Sequence, residues 1–448
     1  MNNRIINYIS ALFLLISCGV TIQVSGQVNA TIAVKQGITD SLGVNNIIKI
    51  VLDQHPSIQE AQEAVKAADA RISLARTAYK PTVDGNASYT RIGPAPSFDF
   101  PGIGKISLAP ANNYSTSIDY HQNIYDFGKT ASEIAVETEN KELAKLTIDQ
   151  MKQRLALTVV NAFYTLAYLQ EAIVIKEKQI STLYEHLDFV NKKKETGSAT
   201  LYEVLTTKVK ISATENQKID LEAAITIQQG VLNSLMGQPE STVIHVKSEM
   251  ASSLLPVQSD SLLSYAFNHR DEIKISSEKT NIAELRYKAI KTQLKPSLNA
   301  YASVGSKNGY VPDINKYTPN FSAGIGFKVP IIDAYRNRSN LLLAKSAITS
   351  NTLDTEVAKR SIINDVVEND ANRVAALKKI DQYALQLAQA QEALGLAETS
   401  YQTGTLTNLD LIDATMSVAE SRLQLLKSKI DYSVSIYRLK MALGDRLY

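Results

Sequence analysis

The sequence predicts a mainly helical protein with an internal two-fold repeat, in which each half combines a β-hairpin with long coiled-coil helices. Three observations support this fold class. Short motifs recur at a constant shift, two segments in each half alternate between apolar and polar residues, and two very long stretches contain almost no glycine or proline. Because the alternating segments have the length of a membrane β-strand, the sequence also predicts a membrane β-barrel contribution.

The internal repeat is carried by short motifs at constant spacing. At a shift of 207 residues, three motifs of the first half recur in the second: Tyr125-Asp-Phe-Gly-Lys with Ile332-Asp-Ala-Tyr-Arg, Glu195-Thr-Gly with Gln402-Thr-Gly, and Met236-Gly with Leu443-Gly. Upstream, Lys80-Pro matches Lys295-Pro at a shift of 215 residues. We therefore predict a first repeat over residues 27–237, a linker over 238–262 and a second repeat over 263–448.

Each predicted half begins with one helix that ends at its Lys-Pro pair, because proline disfavours helical backbone in the residue before it. Two alternating segments follow, at about residues 82–91 and 114–125 in the first half and 297–305 and 320–329 in the second. The two faces of these segments differ in polarity. In the segment 114–125, one face carries Tyr114, Thr116, Ile118 and Tyr120, and the other carries Ser115, Ser117, Asp119 and His121. In the segment 320–329, one face carries Phe321, Ala323, Ile325 and Phe327, and the other carries Ser322, Gly324, Gly326 and Lys328. The intervening segments 93–112 and 306–318 are rich in Gly, Pro and Asn, so we expect loops at the cell surface.

A very long helix then follows in each half, predicted over about residues 129–196 and 336–403. The first contains no glycine or proline, and the second contains only Gly395. In the first, apolar residues recur at spacings of three, four and seven, which is a heptad seam for helix packing: Leu166, Leu169, Ile173, Ile180, Leu183, Leu187 and Val190. A turn at Gly197 or Gly404 leads into a shorter helix that ends near Gly237 or Gly444.

Four strands are too few to close a membrane barrel, because an open sheet edge in lipid leaves backbone groups unpaired. Three chains would supply twelve strands, so the sequence predicts a homotrimer with a twelve-stranded barrel on a helical body. A dimer with eight strands stays possible, but its barrel would be filled by side chains.

The composition of the chain indicates which partners it can have, and its N-terminal residues indicate the cell compartment. The net charge of +2 gives no support for a nucleic-acid partner, and the single cysteine, Cys18, excludes a disulfide within the chain. A short apolar run after Arg4 predicts a signal peptide over residues 1–26. Cleavage after Gly26 and lipidation at Cys18, which ends a lipobox-like Leu-Ile-Ser-Cys, are both open.

The chain lacks the sequence signals of an enzyme. The five histidines are scattered, none has a second ligand at metal spacing, and no glycine-rich phosphate loop follows a strand. We therefore expect no catalytic activity, no metal and no cofactor.

At this point the chain resembles the TolC family of bacterial outer-membrane efflux channels. The resemblance rests on the doubled motif that begins at Tyr125 and at Val329, and on the motif from Tyr401 through Gly404 to Asp413. It implies an export duct that passively conducts substrates out of the cell, with a twelve-stranded barrel in the outer membrane and a periplasmic helical tunnel. It also implies a periplasmic adaptor and an inner-membrane pump as partners, the pump being of the RND, ABC or MFS type.

The resemblance also implies roles for single residues. Asp410 and Asp413 match paired aspartates that ring the narrowest point of the tunnel, where three chains would gather six carboxylates. Tyr401 matches a tyrosine that links neighbouring helices, and Glu203 matches its acidic partner. The turns at Gly197 and Gly404 match the adaptor-docking tip. The chain departs from the family at Leu406, where the family's best-known member has an arginine that holds the tip closed.

Two alternatives remain at this stage. A periplasmic coiled-coil adaptor or scaffold without a pore would also use long helical hairpins, although the alternating segments argue against it. Asp410 could also serve only as a carboxylate in the first turn of a helix capped by Asn408. The exported substrate, which could be a drug, a protein or a metal ion, stays open.

Overall fold

The computed structural model describes residues 43–102, 104–247 and 259–448. The predicted signal peptide and Cys18 lie outside the described residues, as does the section 248–258 of the predicted linker. The described part is mainly helical, as the sequence predicts, with a few β-strands.

The first half runs through four helices and four strands: α1 (Val44–Gln54), α2 (Pro56–Arg76), β1 (Thr82–Arg91), β2 (Ser97–Phe100), β3 (Gly104–Ser107), β4 (Asn112–Tyr125), α3 (Lys129–Glu195) and α4 (Leu201–Met236). The second half contains α5 (Ser259–His269), α6 (Asp271–Thr292), β5 (Ser297–Lys307), β6 (Thr318–Lys328), α7 (Arg336–Gln402) and α8 (Asn408–Leu443). The helices α3 and α7 have 67 residues each, and α4 and α8 have 36 each. The corresponding helices of the two halves therefore have equal lengths.

Two local predictions were wrong. The stretch before each Lys-Pro pair is two helices, because the backbone is extended at His55, with a ψ of 128°, and at Arg270, also with a ψ of 128°. Pro56 explains the first break, since it disfavours helix in the residue before it. The predicted loop 93–112 is also not irregular throughout, because β2 and β3 pair in it as a short antiparallel hairpin.

The four long strands form one antiparallel sheet in the order β1-β4-β5-β6. Side chains directly opposite each other on neighbouring antiparallel strands share a face. The register aligns Val83, Tyr120, Ala302 and Ala323 in one row, and Gly85, Ile118, Val304 and Phe321 in the next. Most of the apolar residues of the four strands therefore lie on one face, and most of the serines, asparagines and aspartates lie on the other.

Hydrogen bonds between strands connect the polar face of this sheet. Asp119 accepts them from Asn86 at 2.6 Å, from Ser117 at 2.9 Å and from Ser303 at 2.5 Å, so β1, β4 and β5 are tied together by one carboxylate. The ring of Tyr301 lies over Gly324, where a Cβ atom would be 2.5 Å from the tyrosine oxygen. Glycine at this position therefore lets the aromatic ring pack flat on the sheet.

The repeated motif Tyr125-Asp-Phe-Gly-Lys forms the turn from β4 into α3. Phe127 and Gly128 both adopt positive φ angles, of 55° and 93°, which reverses the chain within two residues. Asp126 is 3% exposed and accepts hydrogen bonds from the backbone N–H groups of Gly128 at 3.1 Å and Thr130 at 2.9 Å. Its carboxylate therefore caps the first turn of the longest helix of this half.

The second copy of the motif forms the same kind of turn before α7. Ala334 and Tyr335 adopt positive φ angles of 52° and 62°, and Asp333 accepts a hydrogen bond from the backbone of Asn337 at 2.8 Å. The repeated motif thus has a physical cause in both halves, which is a carboxylate cap beside two left-handed residues.

We expect Asp126→Ala to lower the midpoint of thermal unfolding, because it removes the carboxylate that accepts hydrogen bonds from two backbone N–H groups at a buried helix start. Loss of an N-terminal cap costs about 0.5–2 kcal/mol. Asp126→Asn keeps a side-chain oxygen as acceptor and is the matched control, with a smaller expected shift. Unfolding followed by circular dichroism measures both variants, and equal midpoints for wild type and Asp126→Ala would contradict the capping role.

The largest hydrophobic cluster lies where α1, α3, α4 and the C-terminal residues meet. Its fully buried members include Ile47, Val51, Val160, Phe163 and Leu232, all at 0% exposure. Among the described helices, α3 alone has an 18-residue window apolar enough to cross a membrane, with a mean hydropathy of 1.3, and half of that window is buried. Because α3 supplies much of this cluster, its apolar window is explained by packing within the protein.

Candidate functional site

The candidate site lies where the helices reverse direction, between α3 and α4 and between α7 and α8. Gly197 and Gly404 adopt left-handed conformations there, with φ angles of 74° and 80°, which end α3 and α7. We call these two turns, together with the helix ends on either side of them, the apex.

Both helices that leave the apex begin with a capping box. The hydroxyl of Thr200 accepts a hydrogen bond from the backbone of Glu203 at 3.2 Å, and the Glu203 carboxylate accepts one from the backbone of Thr200 at 3.2 Å. Thr407 and Asp410 exchange the same pair of bonds, at 3.2 and 3.3 Å. Glu203 and Asp410, which are 207 residues apart, therefore both stabilise a helix start.

The sequence interpretation of Asn408 as the cap of α8 was wrong, because the N-cap residue is Thr407. Asn408 is 5% exposed and turns toward α4, where its Nδ2 atom lies 3.3 Å from the hydroxyl oxygen of the buried Thr207. Its Oδ1 atom lies 2.6 Å from Nε2 of His186 on α3. Asn408 therefore ties α8 to both helices of the first hairpin.

Tyr401 lies at the centre of the apex and is 4% exposed. Its hydroxyl donates a hydrogen bond to the Glu203 carboxylate at 3.3 Å, so the structure brings these two predicted site residues together. Burial, with the negative charge of Glu203, raises the pKa of Tyr401 to about 12. The phenol is thus a neutral donor at physiological pH, and it links α7 to α4.

Lys193 makes a second link to Tyr401. Its Nζ atom donates a hydrogen bond to the Tyr401 backbone carbonyl at 3.1 Å and lies 4.3 Å from the centre of the tyrosine ring. The carbonyl belongs to the last turn of α7, where a cation is favoured by the helix dipole. A lysine on α3 therefore holds the end of α7 by both its backbone and its aromatic face.

His186 lies about two helix turns further from the Gly197 turn than Lys193 does. It packs beside Tyr401, with ring centres 5.4 Å apart. Burial lowers the pKa of His186, while the hydrogen bond to Asn408 and the charge of Glu203 partly oppose this. The imidazole is therefore neutral at neutral pH. We call the contacts of Tyr401 with Glu203, Lys193 and His186, together with the contact between His186 and Asn408, the joint.

The paired aspartates differ in their surroundings. Asp410 is exposed, and its carboxylate accepts a hydrogen bond from the Thr407 hydroxyl at 2.5 Å. The Asp413 side chain is 60% exposed, and its carboxylate lies 3.8 Å from Lys210 on α4. Asp410 is thus held by its own helix, whereas Asp413 faces a cation across the helix pair.

Leu406 packs against a cluster of buried residues formed by Val190, Val204, Tyr401 and Leu411. The apex of this chain is therefore joined by apolar packing and by Lys193 and His186. Sequence reasoning did not identify these two residues as part of the site. Both come from the first hairpin, more than 200 positions from their partners on the second.

We expect Tyr401→Phe to loosen the apex without unfolding the protein. The substitution removes the hydroxyl that binds Glu203 and keeps the ring under Lys193. A hydrogen bond to a charged group contributes about 1.5–3 kcal/mol when buried, and less at a half-exposed partner. Conductance of single channels in a planar bilayer is expected to rise, with Tyr184→Phe as the matched control because Tyr184 binds Glu215 on the exposed surface. Unchanged conductance would remove Tyr401 from the joint.

Solved structures of outer-membrane channels share this fold. The chain is 18% identical to the outer membrane protein VceC of Vibrio cholerae, with a TM-score of 0.74 over 90% of this chain and 97% of that one. It is 20% identical to the MtrE outer membrane channel of Neisseria gonorrhoeae, with a TM-score of 0.72 over 90% and 89%. The chain therefore has the fold of these solved outer-membrane proteins.

Sequence similarity to a protein family indicates the function of the chain as well as its fold. The outer membrane efflux protein family matches residues 47–238 and 262–445. The TolC outer membrane protein of Vibrio cholerae is 21% identical over 402 residues, which is 88% of each chain, and the alkaline protease secretion protein AprF of Pseudomonas aeruginosa is 21% identical over 337 residues, 74% of this chain and 70% of that one. The chain belongs to the outer membrane efflux protein family. It is an outer-membrane export channel for efflux or secretion with a periplasmic portion, and the alternative of a scaffold without a pore has no support.

Proposed function

We propose that three copies of this chain close a twelve-stranded barrel, in which β6 of one copy pairs with β1 of the next. The sheet ends in β1 and β6, and neither has a second strand partner among the residues that the structure describes. An open edge in lipid leaves N–H and C=O groups without hydrogen bonds. Ring closure by three chains would satisfy both edges without any change within a chain.

The apolar face of the sheet supports this arrangement. Phe321 is 85% exposed and Ile325 is 68% exposed, on the face that carries the apolar rows. A continuous apolar surface of this kind fits a lipid environment, and the polar face then lines the lumen. The segments 93–112 and 306–318 would lie at the cell surface.

At the other end, the apex would bind a periplasmic adaptor and open toward an inner-membrane pump. Large apolar side chains remain exposed at the start of α4, with Leu201 at 57%, Tyr202 at 73% and Leu205 at 51%. Exposed apolar residues grouped next to a turn are typical of protein-binding surfaces. The relatives include a protease secretion protein and a solvent efflux pump component, so we propose a role in a tripartite efflux or type I secretion system.

Asp410 and Asp413 would form the acidic constriction of this channel. Both carboxylates are exposed in the single chain, although they lie near the densely packed apex. In a trimer, three copies of each would surround one axis and favour cations over anions. Opening of the channel would then require separation of the joint at Tyr401, Lys193 and His186.

The observation that carries this proposal is the four-stranded sheet with one apolar face and two unpaired edges. The experiment is single-channel recording of the purified protein in a planar bilayer, with its oligomeric state measured by native mass spectrometry. We expect a trimer that gives small, cation-selective openings. Monomers, or a well-folded preparation without channels, would contradict the proposal.

A further inference from the structure

A second polar site lies far from the apex, where α1, α3, α8 and the last residues of the chain meet. These elements line an open cavity of about 650 Å³, which we call the basic cavity. It is lined by Asn45, Lys49, Leu52, Asp53, Lys152, Tyr437, Lys440, Arg446, Leu447 and Tyr448. The volume lies in the range of small-molecule sites, which is about 300–1,000 Å³.

The helix α1 forms one wall of the basic cavity, and its opposite face is buried in the protein. Ile47, Ile48 and Val51 are fully buried in the largest hydrophobic cluster, while Lys49 and Asp53 lie on the side that lines the cavity. Burial of the first face fixes the position of the second.

The lining carries an excess of positive charge. Arg446 is neutralised, because it binds Asp271 at 2.8 Å and Asp149 at 3.3 Å. Lys49, Lys152 and Lys440 form no ion pair with any carboxylate in the described part of the chain. Asp53 is the one acidic side chain of the lining, so the side chains there include three unpaired ammonium groups and a single carboxylate. Like charges gathered at a concave surface repel each other and favour a bound counter-ion.

The second half of the chain shows why Lys152 lacks a partner. Lys359, which is 207 residues later, binds Glu356 of its own helix at 2.7 Å. Asp149 occupies the position that corresponds to Glu356, but its carboxylate is bound by Arg446. Because the Asp149 carboxylate binds Arg446, it does not pair with Lys152, and the Lys152 ammonium group stays available to a ligand.

Aromatic rings accompany the lysines on two sides of the cavity. The Nζ atom of Lys152 lies 5.9 Å from the ring centre of Tyr448, and that of Lys440 lies 5.7 Å from the ring centre of Tyr437. Together with Leu52, these rings offer apolar contact beside the cationic groups. The lining thus fits a ligand with clustered negative charges on an apolar or ring-shaped body.

We infer that the basic cavity binds a multiply charged phosphate-bearing anion, held by Lys49, Lys152 and Lys440. A bound anion would join α1 and the C-terminal residues to α3 and α8. Because a ligand that binds only the folded protein raises its unfolding temperature, binding would also be visible as a stabilisation.

The test is calorimetric titration of inorganic pyrophosphate into the purified full-length protein in an uncharged detergent, with thermal unfolding measured in parallel. We expect saturable binding to wild type, weakened at least about tenfold in Lys49→Gln/Lys152→Gln/Lys440→Gln, which corresponds to a loss of roughly 1.4 kcal/mol. Lys152→Gln alone is compared with Lys359→Gln, which makes the same change at the matching position in the second half. The expected result is weaker binding in the first variant and wild-type binding in the second.

Two further arms distinguish the source of the phosphate. Phosphatidic acid in mixed micelles is compared with phosphatidylcholine, and each is tested with and without pyrophosphate. Competition by phosphatidic acid would identify a lipid headgroup, whereas binding of pyrophosphate alone would identify a free phosphate compound. Equal pyrophosphate affinities for wild type and the triple variant, or no binding at millimolar pyrophosphate, would overturn the inference. Neither result depends on whether the protein forms channels.

Discussion

Replacing Asp410 and Asp413 together by asparagine is expected to reduce the cation selectivity of the channel by about tenfold, a change of roughly 1.4 kcal/mol in the relative stabilisation of cations and anions. The proposed trimer places six carboxylates around one constriction, so the double variant removes six negative charges from the narrowest point. Rings of acidic side chains produce cation selectivity through this proximity. The measurement is the reversal potential in a bilayer that separates two concentrations of potassium chloride.

The choice of asparagine follows from the capping box. The Asp410 carboxylate accepts a hydrogen bond from the backbone of Thr407, so alanine would remove a helix cap along with the charge. Asparagine keeps a side-chain oxygen at that position, and it isolates the charge effect. Asp413 has no such bond, and its nearest cation is Lys210 at 3.8 Å. Within the pair, Asp413→Asn is therefore expected to change selectivity without a change in thermal stability.

Asp188→Asn is the control for this pair. Asp188 lies on α3 at the same end of the molecule, exposed, and it binds Lys192 of its own helix at 2.5 Å. Its neutralisation changes the charge of the apex region equally, but we expect wild-type selectivity. If the control and Asp413→Asn shift the reversal potential to the same extent, the constriction lies elsewhere.

Sequence patterns predict the long helices and strands of this fold and miss its short ones. The strand β1 begins and ends at the predicted residues 82 and 91, and α3 begins at the predicted residue 129, because period-two alternation and an absence of glycine and proline are local signals. The hairpin of β2 and β3 was missed, since strands of four residues are too short to show alternation. Local patterns thus predict the long elements and miss the short ones.

The break at Arg270 had no local signal. No proline follows it, and its extended backbone is accompanied by bonds to distant residues. The guanidinium donates hydrogen bonds to Asp365 at 2.9 Å and to the backbone carbonyl of Ala442 at 3.2 Å. A buried arginine needs such partners, and they come from α7 and α8, so the break depends on tertiary structure.

Part of the candidate site also depends on tertiary structure that local sequence patterns do not predict. Tyr401 and Glu203 were paired through a family resemblance, whereas Lys193 and His186 belong to the joint only because α3 packs against the end of α7. The heptad seam of α3 predicts that such packing occurs, but its register with α7 is set by contacts between the two hairpins. The chemistry of the joint was therefore visible only in the structure.

Acidification from pH 7.5 to 5.5 is expected to open the channel of this protein, and His186→Gln is expected to remove much of that response. In the closed joint, burial holds the pKa of His186 below its ordinary value of 6.5. When the apex separates, the imidazole meets water and its pKa returns toward that value. The open state then binds the proton more tightly, so a falling pH favours it.

The sign of this effect follows from proton linkage. Above about pH 6.5 the imidazole is neutral in both states, so the joint has its full stability there. Stability is lost as the pH falls from that value toward the lowered pKa of the closed state, and below that pKa the loss is complete. The charged groups around His186 are Lys193 on α3 and Glu203 on α4, while α7 and α8 contribute the uncharged Tyr401 and Asn408 to it. Protonation would thus place a second cation beside Lys193 in a partly buried joint.

The measurement is the open probability of single channels as a function of pH in wild type, His186→Gln and His269→Gln. Glutamine keeps an amide donor for the Asn408 oxygen but does not titrate in this range. His269 is the matched control, because it is exposed and stacks on Tyr265 far along the chain from the apex. We expect a wild-type response in the control and a flattened one in His186→Gln. If all three proteins follow one pH profile, protonation of His186 does not open the apex, and its bond to Asn408 serves only to hold α3 against α8.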